Sequence, residues 1–314
     1  MRFITADEIR SALTFPLLVD ALEAAHRRAP MPVQDAFLGE ESALYFVRHA
    51  ADPGRHFASK LITSFPRNPE TRGLPAVQAV VVLFDATDGR ALAVMDGTEL
   101  TYWRTAADSA LGARCLARRD ARTLLVVGAG EMSTRLVHAH RAVRPSLERV
   151  RIWNRTSSRA QEVAHALCAA GVDAEPVDDL RAAVHEADVV TCCTRSRTPL
   201  VHGEDLRPGA HLDLVGGYTP DHREADDEAA RRARIYVDRR ESAFHGVGDI
   251  LQPIASGAIT EADVLGDLHD LVAGRGGRAS DEDITMFKNA GGGHLDLMTA
   301  VLVHERVEAR GDMR

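Results

Sequence analysis

Lysine is almost missing from this 314-residue chain: of its 38 basic residues only Lys60 and Lys288 are lysines, and the rest are arginines. A chain that draws its surface charge from arginine makes its few lysines candidates for work that needs a compact, rotatable ammonium, with chance retention as the alternative. Cysteine is also scarce. Cys115, Cys168, Cys192 and Cys193 have no framework spacing, and two are adjacent in an apolar run. This excludes a disulfide scaffold and suits reduced packing residues of a cytoplasmic protein. Excess positive charge is lacking as well, since the formal net charge is −8, so nucleic acid is not an expected partner. Apolar runs such as residues 79–84 are too short to span a bilayer, and the charged start MRFITADEIR has no signal-peptide apolar core. Histidine is plentiful but without metal-ligand spacing: His138 and His140, two apart on a helical stretch, face different ways, so no metal is expected. An apolar fraction of 45% and a charged fraction of 27% describe an ordinary globular chain, and its length favours two domains.

The most informative stretch is 121–156, ARTLLVVGAGEMSTRLVHAHRAVRPSLERVRIWNRT. Thr123-Leu124-Leu125-Val126-Val127 reads as a strand buried on both faces, and Gly128-Ala129-Gly130 follows at once. A helical pattern with Met132, Leu136 and Val143 as apolar members leads to a second strand, Val150-Arg151-Ile152-Trp153. Strand, glycine turn, helix and strand in this order form a dinucleotide-binding βαβ unit, although Ser133 stands where a third glycine is usual. Gly128, Ala129, Gly130, Glu131, Met132 and Ser133 are therefore the expected pyrophosphate-binding turn. The second strand lacks the carboxylate that would accept hydrogen bonds from a ribose 2′-OH. Asn154-Arg155-Thr156, with Arg159 beyond, suits a 2′-phosphate, so NADP(H) is expected in preference to NAD(H), with NAD(H) possible. A plain helix cap is the alternative for the hydroxyls.

Around this unit the chain changes character. Thr5-Ala6-Asp7-Glu8 reads as a capping box, and Pro16 opens a second helix with Leu17, Leu18, Ala21, Leu22 and Ala25 as its inner stripe. Residues 33–95 carry five strand patterns, 35–39, 44–48, 57–64, 76–84 and 90–95, and 99–117 is helical. From Thr123 onward helices and strands alternate and give six candidate strands, as in a doubly wound sheet. A glycine-rich link at 274–277 precedes a C-terminal helix at about 292–308 with Leu295, Leu297, Met298, Val301 and Leu302 as apolar members. In an open α/β sheet, ligands lie outside the carboxyl ends of the strands. That rule selects Thr194 and Ser196 after one strand, and Gly216 and Gly217 with Tyr218 and Thr219 after the next.

Several dispersed blocks then carry a family resemblance. Lys60-Leu61-Ile62-Thr63-Ser64-Phe65-Pro66-Arg67-Asn68 with Gly73-Leu74-Pro75, Leu100-Thr101-Tyr102-Trp103-Arg104-Thr105-Ala106-Ala107, Asp213-Leu214-Val215-Gly216-Gly217, Arg223-Glu224-Ala225-Asp226 and Phe287-Lys288-Asn289-Ala290-Gly291 occur in order. Together with the glycine turn they resemble the ornithine cyclodeaminase/mu-crystallin family over essentially the whole chain. The resemblance implies an α/β protein with a doubly wound Rossmann domain, 119–284, inserted into an α+β substrate-binding and dimerisation domain, 1–118 plus 285–314. It also implies a homodimer, a small amino-acid or imino-acid substrate, and Lys288 among the cofactor residues. Lys60 and Arg104 match the cations that hold the substrate carboxylate, and Lys can also pass a proton.

Two departures shape the functional expectation. Gln34 stands where many relatives carry an arginine, and Arg48 on the neighbouring strand is the candidate replacement, so both are grouped with the substrate residues. Tyr218 follows Gly216-Gly217 where true cyclodeaminases carry a catalytic aspartate. A phenol is a poor carboxylate substitute, so Tyr218 is expected to donate a hydrogen bond or shape the pocket. The expected activity is NAD(P)-dependent reduction of a small cyclic imine or ketimine, with Lys60, Arg104 and Tyr218 as catalytic candidates. Ornithine cyclodeamination, an alanine-dehydrogenase-like reaction and a non-catalytic NADPH-dependent binding protein are the alternatives.

Overall fold

The computed structural model describes residues 1–40 and 42–311. Two compact units emerge: Met1–Arg104 together with Gly292–Arg314, and Thr105–Gly291. Both breaks differ from the expected ones at 118/119 and 284/285, and the first falls within a single continuous helix, Gly97–Leu116.

The first unit is built on a six-stranded sheet of β1 (Arg2–Ile4), β2 (Val33–Glu40), β3 (Ala43–Asp52), β4 (His56–Ser64), β5 (Val77–Asp85) and β6 (Ala91–Asp96). Its spatial order is β1-β6-β5-β4-β3-β2, antiparallel except for the β1–β6 pair. β1 is an addition to the sequence reading; three residues beside a capping box give no period to detect. The capping box itself forms: Thr5 Oγ1 accepts from the Glu8 N–H, and the Glu8 carboxylate accepts from the Thr5 N–H at 2.9 Å. In the next helix, Phe15–His26, the buried stripe is Phe15, Leu18, Val19, Leu22 and His26, with Leu17, Ala21 and Ala25 only half-buried. The stripe is rotated because the bulky Phe15 and Val19 take the inner positions. Fully buried Ile9, Leu18 and Leu22 each contribute roughly 1.5–3 kcal/mol of apolar burial.

Strand alternation gives this sheet two unlike faces. Arg48, Lys60, Ile62, Val81 and Met95 share one face, against which the C-terminal helix Gly293–Gly311 packs. A side chain at Gly293 would put its Cβ 2.8 Å from the His49 carbonyl oxygen, so the close approach of helix and β3 requires glycine there. Leu38, Tyr45, Val47, Phe57, Leu61 and Val80 share the other face and stay exposed or half-buried, with Leu38 at 66%.

The second unit contains β7 (Thr123–Val127), β8 (Arg149–Trp153), β9 (Ala174–Pro176), β10 (Val189–Cys192), β11 (His211–Leu214), β12 (Ala233–Val237), β13 (Val264–Asp267) and β14 (Ile284–Lys288). All pairings are parallel, in the order β13-β12-β14-β11-β10-β7-β8-β9. The doubly wound fold is as expected, but it has eight strands and not six. β13 is short and carries Gly266, so it lacks a strand signature. β14 lies between β11 and β12 in the sheet, and all five residues are buried. The sequence reading assigns no element between the link at 274–277 and the C-terminal helix, because the acidic run Asp281-Glu282-Asp283 directly before this strand masks its start. Strand order reverses between β7 and β10, which sets the binding crevice outside their carboxyl ends. Among the described residues no helix is long and apolar enough to cross a membrane.

Candidate active site

Two groups of buried polar residues, one in each unit, contain most of the positions expected to carry chemistry. In the first unit β4 presents Lys60, the helix Gly97–Leu116 presents Arg104, and the first turn of the C-terminal helix presents Asp296. One oxygen of Asp296, Oδ1, lies 3.0 Å from Lys60 Nζ and 3.2 Å from Arg104 Nε. All three are buried, at 3%, 6% and 1% exposure for Lys60, Arg104 and Asp296. Arg104 Nε is not aligned for a hydrogen bond, so the contact is ionic, and the terminal guanidinium nitrogens are not committed to Asp296. Such a planar pair of donors has the geometry to take a carboxylate in two parallel hydrogen bonds. Asp296 Oδ2 has no hydrogen-bond partner among the described residues.

Electrostatics in this cluster favour a labile proton. Burial pulls the Lys60 ammonium down to about 7; Asp296 opposes this, while Arg104 and Arg48 add to it. Burial pushes the Asp296 carboxyl up, but Lys60 and Arg104 outweigh it and hold the group below its ordinary value. Arg48 sits directly across from Lys60 in the sheet register and pairs with Asp35, Nε to Oδ2 3.2 Å. Gln34 does not join them. It is exposed and lies opposite His49, one residue out of step, so its side chain leaves from the other face of the sheet. Asp296 was missed because its neighbours Leu295, Leu297 and Met298 read simply as helix core. An acidic residue inside that stripe was the available signal.

In the second unit the glycine turn follows β7. Gly128 has φ +120, a conformation that favours glycine, and a Cβ there would sit 3.0 Å from the Cys193 carbonyl oxygen. Gly130 is the N-cap of the helix Glu131–Val143, and a Cβ on it would meet nothing within 4 Å. The turn therefore leaves open space over the helix N-terminus, which fits a pyrophosphate. Ser133 is buried and donates from Oγ to the Gly130 carbonyl at 2.6 Å, a local bond that accounts for a serine at the third glycine position. The helix turns Ser133, Leu136, Val137, Ala139 and His140 inward, leaving Met132 half-buried beside Ala129 and Glu131 at the turn. At the end of β8, Asn154 Nδ2 donates to the Thr156 carbonyl at 3.0 Å. Arg155, Thr156 and Arg159 are exposed, and neither arginine forms an ion pair among the described residues.

Beyond β10 and β11 lie the other expected cofactor positions. Thr194 and Ser196 follow β10, and the Ser196 N–H points to Thr194 Oγ1 at 3.3 Å. Gly216 and Gly217 follow β11, Gly217 with φ +40. Tyr218 is 51% exposed, its ring edge-on to His222 with centroids 5.6 Å apart. Lys288 is not at the surface of this crevice. It is completely buried, and its ammonium donates to the Gly216 carbonyl at 2.9 Å and to Asp249 Oδ2 at 3.0 Å, so it supports the Gly216 loop from beneath. Glu224, quoted from the sequence only within a motif, and Asp249, not singled out at all, complete this support. Among the described residues no cluster of three or more His, Cys, Asp or Glu is placed to hold a metal.

A buried pair of cations sharing one carboxylate oxygen in the mixed-sheet unit, with a glycine-turn Rossmann unit in the same chain, defines the class. The chain belongs to the ornithine cyclodeaminase/mu-crystallin family, whose model matches residues 6–311. Within it, the chain is 43% identical over 300 residues to the Delta(1)-pyrroline-2-carboxylate reductase of Paracoccus denitrificans, covering 95% of each chain. Among solved structures it resembles the Thermococcus litoralis Delta(1)-pyrroline-2-carboxylate reductase in complex with NADH and L-proline. That match has a TM-score of 0.92 and 28% identity, covering 99% of this chain and 98% of the other. An archaeal alanine dehydrogenase dimer with bound NAD matches with a TM-score of 0.92 and 30% identity, covering 99% and 97%.

Proposed function

We propose that this protein reduces the C=N bond of a small cyclic α-imino acid, with pyrroline-2-carboxylate as the leading substrate. The observation that carries the reading is the buried Lys60–Arg104–Asp296 cluster, two cations sharing one carboxylate oxygen with a guanidinium fork left for a ligand. The similarity to pyrroline-2-carboxylate reductases supports the choice of substrate. Arg104 grips the substrate carboxylate through its terminal nitrogens, and Lys60 adds a second cation. Orientation of this kind can supply several kcal/mol of barrier reduction. A nicotinamide dinucleotide held at Gly128–Ser133 supplies the hydride when bound. As the new C–H bond forms, the C=N π pair moves onto nitrogen, which takes a proton from the Lys60 ammonium; solvent then reprotonates the amine. Lys60, held near neutrality, is assigned this proton ahead of the solvent-exposed Tyr218.

Exposed and unpaired Arg155 and Arg159, with no carboxylate at the end of β8, favour NADPH over NADH. The apolar outer face of the first sheet, with Leu38, Tyr45, Phe57 and Val80, suits a second copy of the chain and hence a homodimer. NADPH and NADH oxidation with pyrroline-2-carboxylate, piperideine-2-carboxylate and pyruvate plus ammonia tests the whole reading. Turnover of a cyclic imine with NADPH ahead is expected. Conversion of ornithine to proline and ammonia without net cofactor turnover establishes a cyclodeaminase instead, and preference for pyruvate plus ammonia an amino-acid dehydrogenase. Tight NADPH binding with no turnover on any substrate identifies a binding protein.

A further inference from the structure

The loop after β10 and the loop after β11 leave adjacent parallel strands at the carboxyl edge of the sheet, next to the point where strand order reverses. One side chain ties them together. Glu224 Oε1 accepts from the Thr194 N–H at 2.6 Å and from Thr194 Oγ1 at 2.8 Å, and Oε2 accepts from the Gly216 N–H at 2.6 Å. The Glu224 backbone is fixed in turn: its N–H donates to Asp249 Oδ1 at 2.7 Å, and its carbonyl accepts from Leu200 and Val201. Asp249 also takes the Lys288 ammonium, which caps the Gly216 carbonyl. Gly216 therefore has both its N–H and its C=O held by buried side chains. No side chain fits in this corner. A Cβ on Gly216 would lie 2.2 Å from the Thr194 carbonyl oxygen, and one on Gly217 2.0 Å from Asp249 Oδ2.

Two carboxylates and one ammonium, all buried, are a costly way to stabilise a fold, because apolar residues of similar volume usually do as well. What such a network supplies is fixed geometry. Here the fixed parts are the two strand-end loops of a dinucleotide crevice, on the side of the switch point away from the glycine turn and the 2′-phosphate positions. We propose that Glu224 is a positioning residue for the cofactor: by clamping Thr194 to Gly216 it shapes the seat of the nicotinamide half, while the adenosine half depends on the Gly128 turn. The inference rests on the dinucleotide reading of the crevice and is independent of which imine is reduced. Burial and Asp249 beside it push the Glu224 carboxyl up, while Lys288 and the Thr194 donors oppose the shift.

Glu224→Gln tests the clamp. A carboxamide offers an acceptor to one loop and turns an N–H toward the N–H of the other, so the two can no longer be held together. With no imine present, binding of NADPH and NADH is compared by calorimetry with binding of ADP-ribose and its 2′-phosphate, which lack nicotinamide. The expected result is a folded protein whose dinucleotide Kd rises about tenfold or more while the fragment Kd stays within about twofold. Unchanged dinucleotide affinity, or an equal loss for dinucleotide and fragment, overturns the inference. If Glu224→Gln does not fold, Thr194→Val removes only the hydroxyl arm, and a dinucleotide-selective loss of about threefold is expected under the same rule. Absence of dinucleotide binding by the unsubstituted protein overturns the crevice reading and the inference with it.

Discussion

Asp296 lends one oxygen to two cations, and this sharing fixes how the site should respond to pH. With the Lys60 ammonium held at about 7, raising the pH through 7 removes the proton that imine reduction consumes, so kcat falls on the alkaline side. Lys60→Arg keeps the charge but cannot release a proton; kcat should drop about 10²–10⁴-fold and lose the limb near 7 in a pH–rate profile. Asp296 favours the protonated form of Lys60, so Asp296→Asn should move that limb to lower pH and raise KM for the imine. A limb that stays in place would show that Lys60 is not the group titrating. Arg155→Ala should reduce the ratio of NADPH to NADH affinity by about tenfold, read from the two Kd values. Lys60, singled out by the rarity of lysine, and Arg104, singled out by its motif, meet on one oxygen of Asp296. Asp296 and Glu224 were not legible, because a charge stacked among leucines or inside a motif shows its partners only after the chain folds. Gln34 failed for a simpler reason: a one-residue step along a strand changes the face.

At the scale of elements, the β7–turn–helix–β8 unit was readable because each part has a local signature: a buried apolar run, glycines, then a helical period. Gly128→Ala places a side chain at φ +120 and presses its Cβ toward Cys193, at a strain of about 1–3 kcal/mol. Dinucleotide affinity should fall at least tenfold with a lowered Tm, while Gly130→Ala, whose Cβ meets only open space in the protein, should lose affinity with little change in Tm. Calorimetric binding and thermal melts of both variants separate the two effects. β13 and β14 escaped because a short parallel strand has no alternation, and its neighbours in the sheet are far away in sequence.

The two units differ in what their sheets leave uncovered. Strands of the second sheet such as β7, β10, β11 and β14 are buried along their whole length, whereas the first sheet exposes Leu38, Tyr45, Phe57 and Val80 on one face. In the proposed homodimer that face is the contact surface, so Val80→Asp should yield a monomer in analytical ultracentrifugation where the unsubstituted protein sediments as a dimer; a monomeric unsubstituted protein, or an unchanged dimer mass in the variant, overturns that proposal. The inserted order of the units was legible from the resemblance and from the switch between antiparallel and alternating patterns. Its boundaries were not, because the helix Gly97–Leu116 runs through one of them without a break.

The position of β14 has a consequence for how the molecule comes into being. A ribosome delivers the chain in sequence order, yet the strand that joins β11 to β12 is the last of the sheet to be made. Until Lys288 emerges, β12 and β13 have no bridge to the strands already in place. Nascent chains arrested before residue 284 should remain protease-sensitive across β12 and β13, and protection should appear in one step once β14 clears the exit tunnel.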